Sequence, residues 1–318
     1  MSAPIIGPAP LTPEWFDAHK QHVSATAVAR IMTGEAFAVY SEMRGDIAPF
    51  AGNAFTRRGQ RYERPILEEY AETKPAALVG RLPLLIDADC PALAATPDAF
   101  AVPAEGVQPS YCDMLDDCAE FLIFSAGWGC EAKFSMSPAV AHQLGEEESD
   151  EVPDKWLWQT TCQMAVTGWQ FVDVAVLLFG RLRVMTIKRN DRLVDQCHAT
   201  ATEMLDRVQR GLPPPIDFTN TAAQDAVRAV YGKPITGKIV DLDAAAEAVV
   251  TRRQEAQQSE SAAETAKKAA DAELLAIMAG AEMATLPSGI TVRRGTVDCP
   301  EKIVKAYSYS RFWFKKGK

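Results

Sequence analysis

The sequence predicts a mixed α/β (α+β) protein: a small central mixed sheet flanked by helices, then a C-terminal helical appendage that ends in a β-hairpin. Three observations predict it. Helix-period segments with start signals fill residues 12 to 72; from about Ala77 the apolar period shortens toward that of strands; and beyond Gly211-Leu-Pro-Pro-Pro215 the composition turns to Ala, Glu, Gln and Lys.

Residues 1 to 12, rich in Pro and Gly, read as an extended lead-in. Thr12-Pro13 pairs an N-cap residue with Pro at the first helical position, so a helix starts there. Ser24 caps a second helix with Val28, Ile31 and Met32 on one face, and a less regular connection leads to a third over Asn53 to Glu72, where Tyr62, Ile66, Leu67 and Tyr70 share a face. Leu78 to Ile86 reads as a strand with an irregularity at Pro83, and Ala92 to Val102 as a strand interrupted by Pro97-Asp98. Pro103 to Ala126 has no clear period and is expected to be an insertion in a hairpin whose returning strand is Gly129 to Phe134. Acidic Glu146 to Glu151 is a solvated loop before a Trp-rich helix over Asp154 to Thr167. Strands Phe171 to Phe179 and Arg181 to Lys188 and a helix Asp191 to Arg210 follow. The proline run sets the expected domain boundary, 1–212 against 213–318. Past it come a short helix Asp225 to Tyr231, an alanine-rich helix or helical hairpin within Leu242 to Ala279, and two strand-like pieces, Ile290 to Thr296 and Tyr307 to Phe314.

The 318 residues suffice for a large core, and no apolar run is long enough to span a bilayer. The N-terminus lacks the basic start and apolar core of a signal peptide, so a cytoplasmic protein is expected. Seven dispersed cysteines without C-x-x-C spacing read as reduced thiols rather than a disulfide framework or zinc ribbon. The net charge of -9 argues against an all-over basic surface, but leaves room for a nucleic acid gripped in a locally cationic channel.

The chemistry centres on Thr96-Pro97-Asp98 and Glu131-Ala132-Lys133. Side chains alternate along a strand, so Glu131 and Lys133 share a face. Two carboxylates as hard oxygen ligands, with His142 standing apart, suit Mg²⁺ or Mn²⁺, and Lys133 can position a water beside them and assist its deprotonation. Phosphodiester hydrolysis fits this equipment. By spacing alone, a surface ion pair at a strand edge satisfies the same residues. Glu63 and Gln159 each place a polar side chain on a helix that flanks the strands in sequence.

Four ordered segments carry a resemblance: Trp15-x-x-x-His19 with Val23-Ser-Ala-Thr26; Gly59-x-x-x-Glu63; Ala94-Ala-Thr-Pro-Asp98 with Glu131-Ala-Lys133; and Trp158-Gln159 through Gln163-Met164-x-Val166-Thr167-Gly168. Over about residues 12 to 210 the chain resembles the YqaJ-like viral recombinase family, to which bacteriophage lambda exonuclease belongs, within the PD-(D/E)XK nuclease superfamily. The resemblance implies a restriction-endonuclease-like core and a Mg²⁺- or Mn²⁺-dependent exonuclease. Such an enzyme degrades the 5′-ended strand of linear duplex DNA and leaves a 3′ overhang for a single-strand annealing partner. It implies Asp98 and Glu131 as metal ligands, Lys133 as the catalytic lysine, and Glu63 and Gln159 as further site residues. It also implies a homo-oligomer, a trimer in some members, and a phage or prophage origin in a bacterial host. Arg57, Arg58 and Arg61 then line the DNA channel, or else form a solvated helix face. His19 stands where the family often has a 5′-phosphate-binding arginine, which passes phosphate reading to His19, Lys20 or Thr26. Ala99 and Ala132 replace a usual glycine and a usual branched residue. The alternatives are an endonuclease or nickase of the same superfamily, and a non-catalytic recombination adaptor.

Overall fold

The structure, a computed structural model, describes residues 2–48, 52–74, 76–103, 110–113, 127–146 and 149–295. It divides into two compact units, Met1–Gly232 and Lys233–Lys318.

The first unit opens with strand β1 (Ile5–Ile6) and helix α1 (Pro13–His19), which starts as predicted: the Thr12 side chain accepts the Trp15 N–H at 3.1 Å. Strand β2 (Val23–Ser24) runs into helix α2 (Ala25–Arg30), capped by Ser24. The connection expected to be irregular is instead mostly helical. A wide turn, Ile31–Glu35, with Gly34 at φ 93°, redirects the chain into helix α3 (Ala36–Arg44). Only glycine takes that backbone angle without strain, and the turn lets Phe37, Val39 and Tyr40 be buried. Helix α4 (Ala54–Thr73) has an Asn53 capping box and buries Ile66, Leu67, Tyr70 and Ala71.

The next two predicted strands are each split. Leu78 to Ile86 yields β3 (Ala76–Gly80) and β4 (Leu85–Ile86); Ala92 to Val102 yields β5 (Leu93–Ala95) and β6 (Ala99–Pro103). Each pair straddles two sheets. Arg81, at φ 56°, breaks the first, and Pro97, which lacks an N–H for a ladder, breaks the second. Among the described residues, the small sheet has the order β1-β4-β5-β2. The larger has β10-β9-β8-β6-β3-β7, completed by β7 (Ser110–Asp113), β8 (Trp128–Ser135), β9 (Phe171–Leu178) and β10 (Arg181–Lys188). It is mixed: β8 runs parallel to β9 and antiparallel to β6, with Ala99 opposite Cys130. The ends of the predicted insertion therefore meet across β6 and β8, and β7 within it pairs with β3 in parallel; 104–109 and 114–126 lie outside the described residues.

Two helix layers cover the large sheet. On one face α4 packs on Ala99, Ala101, Cys130 and Ala175. On the other, beyond a short α5 (Pro138–Ala141), helix α6 (Asp154–Thr167) sets Met164 against Val172, Val174 and Val176, and its opposite side faces α2 and α7 (Asp191–Arg210). The boundary expected at 212/213 is not where this unit ends. Helix α8 (Thr221–Tyr231) returns to bury Ala226 against Phe37 and Ala38, and the Asn220 amide donates to Thr33 O at 3.0 Å. Burial of apolar surface by α8 holds the proline run inside the first unit.

The second unit contains one long helix, α9 (Ala244–Met278), and a hairpin of β11 (Met283–Thr285) with β12 (Thr291–Arg293). Leu274, Leu275 and Ile277 on α9 are exposed. The predicted strand Tyr307 to Phe314 and the basic end, Lys315, Lys316 and Lys318, lie outside the described residues. Among the described residues, no helix is long and apolar enough to cross a membrane. Cys90, Cys130, Cys162 and Cys197 are buried free thiols.

Candidate active site

Asp98 occupies the break between β5 and β6, where the chain passes from one sheet to the other. Its Oδ2 accepts the backbone N–H of Ala132 at 2.9 Å, which ties the break to the middle of β8. Strand alternation sends Glu131 and Lys133 to the face covered by α6. There Lys133 Nζ donates to Glu131 Oε1 at 2.6 Å and to Gln159 Oε1 at 3.0 Å. The Gln159 amide closes the triangle, donating from Nε2 to Glu131 Oε1 at 2.6 Å. One helical turn on, Gln163 donates to Glu131 Oε2 at 2.6 Å. Glu131 is only 2% exposed, so these donors replace the water it lost on folding.

The charges show how close these groups lie. Burial, then the Glu131 and Glu63 charges, holds the Asp98 carboxyl well above the usual carboxylate range, against the opposing pull of Lys133 and the Ala132 N–H. Glu63, on α4, is raised by burial and by Glu131, and drawn back by Arg81 and Lys133. Burial works against the Lys133 ammonium, but Glu131 and Asp98 outweigh it and raise its pKa. Three carboxylates thus share a partly enclosed space, an arrangement that a cation relieves.

The donor set can be tested against a metal. Asp98, at the break before β6, and Glu131, on the adjacent β8, offer hard carboxylate oxygens; the Cys130 thiol between them in register is buried and held protonated by that burial and by the Asp173, Asp98 and Glu131 charges. Among the described residues no three carboxylate, histidine or cysteine side chains form a complete ligand group. Mg²⁺ needs none: it keeps several waters and takes one or two protein carboxylates. The residues fit a hard divalent ion and would not select zinc.

The other predicted residues stand apart from this cluster or at its edge. His19 ends α1, its ring 4.6 Å from that of Trp15, and burial followed by His22 lowers its pKa. Lys20 is exposed and paired with Asp17 at 3.1 Å, and Thr26 is exposed in the first turn of α2. Arg57, Arg58 and Arg61 are exposed on the helix that carries Glu63, with Arg58 5.9 Å from the Phe55 ring centroid.

Two residues of the site had no role assigned from sequence. Gln163 touches Glu131 directly; its signal was the spacing of four from Gln159, which puts both amides on one helical face. Arg81 donates its backbone N–H to Asp98 O at 3.2 Å and acts on Glu63 by charge. Its left-handed backbone has no signature in the sequence. Behind the site, on the α4 face, the fully buried Asp173 accepts from Tyr70 at 2.5 Å, Lys74 at 2.6 Å and Thr186 at 2.6 Å, and Trp128 Nε1 donates to the Tyr70 hydroxyl at 2.8 Å. This network pins α4, with Glu63 two turns upstream of Tyr70, to the sheet.

Comparison with known proteins gives a match to one domain model and a set of distant structural neighbours. An alkaline exonuclease from Laribacter hongkongensis is 18% identical, with a TM-score of 0.45 over 63% of this chain and 94% of its own. A phage-related exonuclease from Haemophilus somnus 129PT is 12% identical, with a TM-score of 0.40 over 64% of this chain and 91% of its own. No curated protein sequence matches the chain significantly. Residues 14–170, which span Glu63, Asp98, Glu131, Lys133 and Gln159, match the model of the YqaJ-like viral recombinase domain, and this stretch of the chain is a YqaJ-like viral recombinase domain.

Proposed function

We propose that this protein is a divalent-metal-dependent exonuclease acting 5′ to 3′ on linear double-stranded DNA and leaving 3′ single strands for recombination by annealing. The YqaJ-like viral recombinase domain over residues 14–170 supports a nuclease of the lambda-exonuclease type. The observation that supports metal-dependent phosphodiester hydrolysis is the convergence of Asp98, Glu131 and Glu63 with Lys133 and Gln159; the polarity and the duplex substrate come from the family resemblance alone.

Asp98 and Glu131 would hold Mg²⁺ or Mn²⁺, with Glu63 as a third acidic group at its edge. When bound, the ion would activate a water and neutralise charge on the scissile phosphodiester. Lys133, whose carboxylate neighbours favour its ammonium form, would act as a hydrogen-bond donor at the site. It orients the attacking water and opposes charge that develops on the phosphate oxygens. Gln159 accepts from Lys133 and donates to Glu131, so one amide fixes both side chains. Arg57, Arg58 and Arg61 would meet the phosphate backbone. His19, Lys20 or Thr26 would read the 5′ end. The acidic net charge suits an oligomer with its cations gathered in a channel; an annealing protein is the expected partner and the bacterial cytoplasm the expected setting.

Linear duplexes labelled at the 5′ or 3′ end, with and without a 5′ phosphate, test this in Mg²⁺. Release of the 5′ label first, with closed circular plasmid left intact, is the expected result. Nicking or linearisation of the circle would replace it with an endonuclease, and release of the 3′ label first would reverse the polarity.

A further inference from the structure

We propose that Gln163 is a positioning residue, one that sets the metal affinity of the site by holding the Glu131 carboxylate in a single orientation; this rests on the reading of Asp98 and Glu131 as metal ligands. Glu131 Oε1 is shared between Lys133 and Gln159, both at 2.6 Å. Gln163 Nε2 meets the other oxygen, Oε2, also at 2.6 Å. With both oxygens engaged, the carboxylate cannot turn about its last bond without losing a charge-assisted hydrogen bond. Gln163 acts from inside the protein, at 1% exposure, so no solvent group can take over.

A second observation separates this from ordinary packing. Among the described residues, Gln163 Oε1 is buried without a hydrogen-bond partner. The amide must turn Nε2 toward the carboxylate, because two oxygens face to face would repel, and its own oxygen is orphaned as a result. A methionine at this position would fill a similar volume without a buried amide oxygen, but would leave Glu131 Oε2 without its donor. A buried glutamine that satisfies only half its bonds is a poor choice for packing and a good one for orienting a ligand. Groups that orient a ligand from behind typically govern metal affinity by about 10–100-fold.

The test is Mn²⁺ binding by isothermal titration calorimetry on the full chain, with thermal unfolding of the same samples. Gln163→Met keeps the shape and removes the donor; Gln163→Asn keeps an amide one methylene too short to reach Oε2. Both are expected to unfold cooperatively and to bind Mn²⁺ about 10–100-fold more weakly than the unsubstituted protein. Binding equal to that of the unsubstituted protein in either cooperatively folded variant would overturn the proposal. Loss of the cooperative transition in both would assign Gln163 to the folding of α6 and overturn it equally. Glu131→Gln separates the two layers of argument. If the unsubstituted protein binds no Mn²⁺, or binds it equally after that change, the reading of the site itself fails.

Discussion

Replacing Lys133 by methionine should injure stability and catalysis in different ways, and only one of the injuries should respond to metal. The Lys133 side chain is 19% exposed and that of Glu131 3%, so the pair is close to fully buried. Removing one partner of such a pair costs about 3–5 kcal/mol, because the charge left behind is uncompensated. Glu131 keeps its bonds from Gln159 and Gln163, which points to the lower end, about 3 kcal/mol in metal-free buffer. Urea unfolding in EDTA measures that loss. With Mn²⁺ present the carboxylates regain a counter-charge, and the gap between the variant and the unsubstituted protein should narrow. Turnover on linear duplex should not recover. Loss of the donor that orients the water should lower it by about 10²–10³-fold at any Mn²⁺ concentration. Activity within tenfold of the unsubstituted protein, or a loss in EDTA below about 0.5 kcal/mol, would refute the reasoning.

Three further outcomes follow from the same structure. Tyr70→Phe keeps the ring but removes the donor to Asp173 and leaves Trp128 Nε1 buried and unmatched, so unfolding free energy should fall by about 2–4 kcal/mol in denaturant titrations. His198 is hydrogen-bonded to Asp87 at 2.7 Å, which raises its pKa above the ordinary value against the effect of burial. Its stabilisation is therefore complete below about pH 6.5, the unfolded value, and is lost as pH climbs through the higher folded value. Melting temperatures across pH 6 to 9 should show that decline in the unsubstituted protein and a flatter profile in His198→Gln; a relative gain with rising pH would contradict it. Finally, a chain ended at Arg210 should be roughly 2 kcal/mol less stable in its first unit than one ended at Gly232, because α8 no longer covers Phe37 and Ala38. Equal denaturation midpoints would show that α8 contributes nothing.

Much of this was written locally. Helices α1, α4, α6 and α7 begin behind their own caps or prolines, and the β9–β10 hairpin is marked by two apolar runs either side of Gly180. The split strands were not, because an apolar run records burial and not which sheet buries it. Ala94 and Phe100 are both fully buried, yet one lies in each sheet. Helix α3 escaped notice because its start carries no side-chain cap, only a turn at Gly34 that redirects a continuous helical path.

The sequence by itself determined which groups share a face: Glu131 with Lys133 on a strand, Gln159 with Gln163 on a helix. Periodicity is a local property of the backbone and needs no partner. Only the tertiary structure decided that these two faces look at each other, that Asp98 is tied to Ala132, and that Glu63 and Arg81 come within range of the same charges. The physical reason is that an ion pair on a solvated strand edge is worth little, while the same residues closed in by two helices must satisfy one another or hold a cation.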